Sequence, residues 1–416
     1  MVNQPGNTSS SSQAPPPGPR IFQKPIASFT KLETRNGIAR MIEEEETIEI
    51  PIEYQPDTTD PFYRPQTLTQ SNKIHHFHSM ATGKFVNLIA AKRPFNRELQ
   101  PVMIRRFKLD ILSSEETGFT QLQREKELSE TIDHPNIVKF YEMYGEGPIE
   151  VPTHLCFVKE RMPQTLEKYY ASLLFRDEEN GLVRRDLIQL KSLLTQILRA
   201  LEYLHQCGII HRDVSPRNIG IDQETFVVKL LDLGSAREIN PKLDHSANLK
   251  TALIYKSLEL YQRSKYNEGV DIWAAALVAV EFLGVKLMMP TGTPEEVATK
   301  LRKRGPENAM KDRIFAILGI PDDQYESIFG RKIFEKPQTA KFDEIWEKEI
   351  KDRLGSDNET LKGEDFKSLI KNMLNPDWMN RVTATNCFVE PFLLSPIEDA
   401  YRRNVEDASR LLMEIE

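Results

Sequence analysis

"HRDVSPRNIG", His211 to Gly220, is the stretch whose reading decides the fold. It places a carboxylate at Asp213 and an amide at Asn218, five residues on, with Ser215 between them. A second cluster follows in "KLLDLGSA", Lys229 to Ala236, where an apolar strand delivers Asp232 into a turn that Gly234 permits. Phosphoryl transfer is mostly positioning and charge neutralisation. It needs one carboxylate to orient a hydroxyl, and an amide with a second carboxylate to hold Mg²⁺ against phosphates. Asp213, Asn218 and Asp232 supply that set in order. A lone His-Arg-Asp would carry little weight, because surface loops often contain such residues.

The bulk composition allows this and excludes other classes. At 416 residues, 39% hydrophobic and 28% charged, the chain has enough material for two core-forming lobes of an ordinary soluble protein. A formal net charge of -7 gives no global basic field, so nucleic acid is not an expected partner. Only three cysteines occur, Cys156, Cys207 and Cys387, with no CxxC pair, which argues against a disulfide framework or a structural zinc site. The longest apolar run, "IWAAALVAV" from Ile272 to Val280, falls short of the roughly 18 to 20 residues of a membrane span. The first residues lack the apolar stretch of a signal peptide, and the expectation is a cytoplasmic or nuclear protein.

Along the chain, residues 1 to about 20 are rich in Ser, Pro, Gly and Gln and are expected to be disordered. The acidic run and alternation in "MIEEEETIEIPIEYQP" read either as a solvated tail or as one strand against a domain edge. Residues 1–68 are therefore expected as a disordered or loosely docked arm. From 69 to 160, short β-branched segments such as "PVMIRRF" and "THLCFVKE", with one helical stretch between them, predict a small sheet with one main helix. From 161 to 395 the spacing turns helical, as in "LIQLKSLLTQILRALEYLHQCG", and 396–416 is expected as a helical extension.

Further segments stand in a fixed order around the two clusters: "HPNIVKFYEMY", "YKSLELY", "DIWAAALVAVEFL" and "MLNPDWMNRVTATNCFVEPFL". With them the chain resembles the eukaryotic protein kinase superfamily, over about residues 70 to 395. "YKSLELYQRSKYNEGVDIW" followed by "RIFAILGIPDDQYESIF" is similar to the branch that holds cyclin-dependent and mitogen-activated kinases. The resemblance implies a bilobal α+β fold, a small antiparallel sheet lobe with one main helix above a larger helical lobe. It also implies ATP and Mg²⁺ as cofactors, with Asp213, Asn218 and Asp232 catalytic and Asn218 and Asp232 on the metal. It further implies a structural pair between Glu259 and Arg381, and a bracing role for Asp271 beneath the catalytic loop.

The small lobe departs from the family pattern. Arg105 stands where the phosphate-pairing lysine is usual, with its usual partner Glu125 present, and arginine is not a conservative exchange at a tight phosphate contact. In "SMATGKFV", Ser79, Ala81 and Lys84 occupy the three glycine positions, ahead of Val86 over the adenine. With-no-lysine kinases resemble this arrangement, which makes Lys84 a candidate for the missing cation; a solvent-facing strand lysine is the alternative. Lys159 takes the normally apolar place behind the adenine, ahead of the hinge residues Glu160 and Met162. A lysine buried there must reach a carboxylate, a phosphate or solvent. Gly220 replaces the aliphatic side chain expected beneath the adenine, which predicts weaker nucleotide binding. Ser215 replaces a lysine that steadies the moving phosphate, which predicts slower transfer and not its loss.

Two functions from different classes follow. One is a serine/threonine protein kinase acting on protein substrates. The other is a pseudokinase that binds a partner kinase, since adaptor pseudokinases of the STRAD type have a small lobe similar to "FVNLIAAKR" and "VMIRRFKLD". The intact set Asp213, Asn218 and Asp232 separates the two and favours the enzyme. Between Asp232 and Glu259, Ser235, Ser246, Thr251 and Tyr255 offer hydroxyls, and Arg212 and Lys256 are cations able to receive a phosphate.

Overall fold

The computed structural model describes residues 32–35, 38–41, 75–82, 86–95, 98–113, 118–146, 153–180, 187–239, 252–261, 265–290, 292–319, 341–350 and 360–394. Strands β3 (His75–Thr82), β4 (Val86–Phe95), β5 (Glu98–Lys108), β6 (Phe140–Glu146) and β7 (His154–Glu160) form one antiparallel sheet in the order β3-β4-β5-β7-β6. Alternation sets its two faces. Val102, Ile104, Cys156 and Val158 bury one side with Ile89 and Ala91, while Phe107, Leu155 and Phe157 turn to the other and meet Leu122.

Leu122 belongs to α2 (Gly118–Thr131), which follows the short α1 (Leu109–Ser113). On α2 the buried positions Leu122, Glu125 and Ser129 recur at three and four spacing. Glu125 therefore lies on the face that a helix normally fills with apolar residues, pointed at the sheet. Its burial is set by the helix register.

The large lobe is organised around α6 (Gly269–Phe282), every residue of which is buried. It packs against α4 (Leu187–Gln206), whose Leu190, Leu193, Leu194, Ile197, Leu201 and Leu204 form the inward stripe. Ahead of α4, the two-residue β8 (Gln164–Thr165) leads into α3 (Leu166–Asn180). Short strands β9 (Ile209–Ile210), β10 (Ile219–Ile221), β11 (Val228–Leu230) and β12 (Arg237–Glu238) frame the loop between them, in the ladders β11-β10-β8 and β12-β9. The buried pair Glu259 and Arg381 forms as the resemblance implied, with Arg381 Nη1 2.6 Å and Nη2 3.0 Å from the two carboxylate oxygens.

A seam joins the lobes. The Val138 amide donates to the Leu230 carbonyl at 2.8 Å, and the Leu230 amide to the Asn136 carbonyl at 2.9 Å. Lys229 Nζ reaches both oxygens of Glu160, at 2.7 and 2.8 Å. On the far side of the large lobe, α7 (Pro294–Arg304) is an exposed helix begun by a two-way cap between Thr293 and Glu296 and followed by α8 (Pro306–Leu318).

Within the stretch expected as an arm, β1 (Leu32–Arg35) and β2 (Ile38–Met41) form an antiparallel hairpin, and β2 lies beside α1. The "EEEE" run and the 396–416 extension lie outside the described residues.

Candidate active site

The loop from His211 to Gly220 is held from below. The backbone amides of His211 and Arg212 both donate to Asp271, at 2.8 Å each, and His205 Nε2 stands 3.0 Å from the same carboxylate. Asp271 is the third residue of α6, so the loop is fixed to a helix whose every residue is buried. This brace allows Arg212 a φ of 67°, a conformation a non-glycine residue seldom keeps without surrounding support. Burial would push the Asp271 carboxyl up, but the His205 and His211 contacts outweigh it and hold it below its ordinary value.

Above the brace, Asn218 Nδ2 donates to the Asp213 carboxylate at 2.7 Å and to the Asp213 carbonyl at 2.9 Å. The Leu231 amide donates to the Asn218 carbonyl at 2.9 Å, which brings Asp232 alongside. Burial raises the Asp213 carboxyl, and the nearby Asp232 charge pushes the same way against His211 and Asn218. Asp232 Oδ1 accepts from the Gly234 amide at 2.8 Å and from Arg105 Nη1 at 2.9 Å. Burial would raise Asp232 too, yet Arg105 and Lys159 hold it well below the usual carboxylate range. A Cβ on Gly234 would sit 3.1 Å from both Asp232 Oδ1 and Glu125 Oε2, so a side chain at this turn would press on both carboxylates.

The small lobe contributes cations. Arg105 pairs with Glu125 as well as Asp232, and Lys159, buried on β7, places Nζ 2.6 Å from Glu125. The carboxylate demanded by a buried lysine at 159 is therefore Glu125. Sequence reasoning gave this residue a need and not a partner. Ser79 stands opposite Ile89, and the exposed Ala81 opposite Leu88, with an irregularity between them on β3. Val86 opens β4 opposite Phe107. Lys84 lies outside the described residues, between β3 and β4.

At the hinge, the Glu160 amide donates to the Lys139 carbonyl at 2.8 Å while its side chain is taken by Lys229. The space beside Gly220 is filled. A Cβ there would meet Met162 Cγ at 2.5 Å and Leu231 Cδ2 at 2.8 Å, so the Met162 side chain occupies the space a larger residue at 220 would take. Ser215 is fully buried, and its hydroxyl has no hydrogen-bond partner among the described residues.

Matching this geometry, residues 83–393 fit the model of the protein kinase domain. The chain belongs to the protein kinase family. Among curated relatives, the chain is similar to protein kinase gsk31 of Schizosaccharomyces pombe, 32% identical over 188 residues, which are 44% of this chain and 47% of that protein. It is also similar to human mitogen-activated protein kinase 4, 28% identical over 210 residues, 50% of this chain and 34% of that protein. Glycogen synthase kinase 1 of Pyricularia oryzae is 32% identical over 164 residues, covering 38% of this chain and 40% of that protein. The aligned stretch spans less than half the length of each of these relatives. They agree with the branch assigned from the sequence.

The segment from Asp232 to Glu259 is partly described. Tyr255 is buried with its hydroxyl on Glu281, which removes it from the accessible hydroxyls, and Ser246 and Thr251 lie outside the described residues. Lys256 is engaged by Glu307 at 3.2 Å. Arg212 donates to the Ser235 carbonyl at 2.6 Å and to the Tyr266 hydroxyl at 3.2 Å. Two cations that sequence reasoning passed over stand with it, Arg124 on α2 and Arg237 on β12. Burial, then the charges of Arg237 and Arg212, hold Arg124 below its ordinary value. Arg237 Nε is buried with no hydrogen-bond partner among the described residues. The signal was available: Arg124 directly precedes Glu125, and Arg237 closes "DLGSAR".

No helix among the described residues is long and apolar enough to cross a membrane.

Proposed function

We propose that the chain is a serine/threonine protein kinase that transfers the γ-phosphoryl group of ATP to hydroxyls of protein substrates. The observation that carries this is the convergence of Asp213, Asn218 and Asp232 on one short, braced loop pair. Asp213 orients the attacking hydroxyl and takes its proton, and its raised carboxyl is the better base for that. The metal positions fit Mg²⁺. With Asn218 Nδ2 committed to Asp213, its amide oxygen is left to face a cation, and Asp232 offers a second hard oxygen. Two protein donors suit an ion that completes its shell with phosphates and water, and it would supply neutralisation of the phosphate charge. Arg105 is the residue nearest to Glu125 and Asp232 that can face phosphates, and Ser79, Ala81, Lys84, Val86, Glu160 and Met162 complete the nucleotide site. The domain division is that of the sequence reading: small lobe 69–160, large lobe 161–395, arm 1–68 and extension 396–416.

A second reading has one observation in its favour. Arg105 already occupies Asp232, one of the two metal residues, as a resident cation would in a chain that binds partners without catalysis. The discriminating experiment is nucleotide binding and turnover on one preparation. For a kinase, ATP with Mg²⁺ raises the melting temperature more than ATP alone, and Asp232→Asn abolishes the difference. Asp213→Ala then lowers phosphotransfer by about 100-fold or more while leaving ATP affinity close to wild type. Shifts that ignore Mg²⁺, with no turnover, replace the kinase reading by the binding one.

Regulation follows from the three arginines. A doubly charged phosphate is the anion that Arg124, Arg212 and Arg237 together would accept, and Ser235, Ser246 and Thr251 offer hydroxyls that could carry it.

A further inference from the structure

One carboxylate oxygen, Glu125 Oε1, accepts from cations on two different strands, Arg105 of β5 and Lys159 of β7. Both departures from the family pattern, arginine for lysine at 105 and lysine for an apolar residue at 159, meet at this atom. They differ in setting. Lys159 is nearly fully enclosed, and its strand is paired on both sides, Lys159 standing opposite Met103 and Phe140. Its ammonium lies 5.9 Å from the Phe157 ring, with Glu125 as its one ion-pair partner among the described residues. Arg105 is more exposed and divides one nitrogen, Nη1, between Glu125 and Asp232, while Nη2 has no partner among the described residues.

We propose that Lys159 is sufficient by itself to hold α2 through Glu125, so that Arg105 is released to face phosphates. A single small ammonium can serve Glu125 and a phosphate together. The planar guanidinium has fixed donor directions, so turning both of its Nη groups toward phosphates draws Nη1 off Glu125. A carboxylate buried as deeply as Glu125 cannot be left without a cation. Lys159 meets that need from a fixed strand, which makes the two departures one compensated pair.

The phosphate half of this inference rests on the kinase reading; the tether half does not. Amide hydrogen exchange over residues 118–131, measured without nucleotide, tests the tether in wild type, Arg105→Met, Lys159→Met and the double variant. Each single variant is expected within about threefold of wild type, and the double is expected about tenfold faster or more. Arg105→Met alone reaching the rate of the double would overturn the tether. ATP affinity, read by thermal shift, tests the release. Lys159→Met weakens ATP binding about tenfold when Arg105 is present and leaves it unchanged in Arg105→Met, and Lys159→Arg restores it. Equal loss in both backgrounds overturns the coupling. Should wild type fail to bind ATP, the kinase reading falls while the exchange series still decides the tether. If Lys159→Met does not fold, Glu125→Gln makes the same test from the other partner: α2 must then exchange as fast as predicted for the double, and wild-type protection overturns the tether.

Discussion

In the large lobe, Asp213 and Asp271 are held chiefly by neutral donors, backbone amides and the Asn218 side chain, whereas Glu125 in the small lobe is held by cations alone among the described residues. The two solutions respond differently to a ligand. A carboxylate bonded to backbone amides keeps its place when charge enters the site, because the amides belong to the fold. A carboxylate held by mobile cations must re-partition them. The large-lobe carboxylates are thus fixed by backbone that any ligand leaves in place, while Glu125 depends on which side chains surround it.

The comparison can be broken most forcefully at the large-lobe pair. Arg381→Leu leaves Glu259 as a buried, unpaired charge, and a loss of about 3 to 5 kcal/mol is expected in urea unfolding. A loss below about 1 kcal/mol would show that the large lobe is no more rigidly specified than the small one. Next in size is Gly220→Ala, whose new methyl would press on Met162 and Leu231, costing about 1 to 3 kcal/mol. If Met162 instead swings out without loss of stability, the hinge shares the small lobe's plasticity.

The smallest effect lies at the seam. His134, which accepts from the Asn136 amide at 3.1 Å and stacks on Tyr203, is lowered to about 4 by burial and by the Arg199 charge. Its folded value is below its unfolded one, so the unfolded chain binds the proton more readily. Stability therefore falls as pH drops from about 6.5 toward 4, by no more than about 2 kcal/mol for a ring that is partly exposed. Unfolding midpoints across that range should slope less in His134→Gln than in wild type.

What could be read from the sequence followed the same division. The large-lobe site residues are legible because each is fixed by local spacing, Asp213 to Asn218 and Asp232 to Gly234, while the brace at Asp271 was legible through resemblance. Glu259 and Arg381 were legible through resemblance alone, being 122 residues apart. In the small lobe the sequence could show that Lys159 needed an anion, but its partner lies on a helix 34 residues away. Only the strand order β5-β7 and the register of α2 bring the two together. Met162 over Gly220 was invisible for a related reason: a missing side chain is a local fact, while the atom that fills its place comes from another segment.

The Glu160 to Lys229 bridge bears on how fast such a site can exchange its contents. Glu160 ends the last strand of the small lobe's hinge and Lys229 sits on β11 in the large lobe, with the Lys139 amide donating to the same carboxylate at 3.1 Å. Any swing that separates the lobes at this edge must first break two short charge-assisted bonds, so the pivot is displaced to the chain beyond Glu160, at residues 161–163. The cleft then works like a door hung on one fixed jamb. Its mouth widens while its back edge stays shut, so whatever the cleft holds exchanges through the mouth.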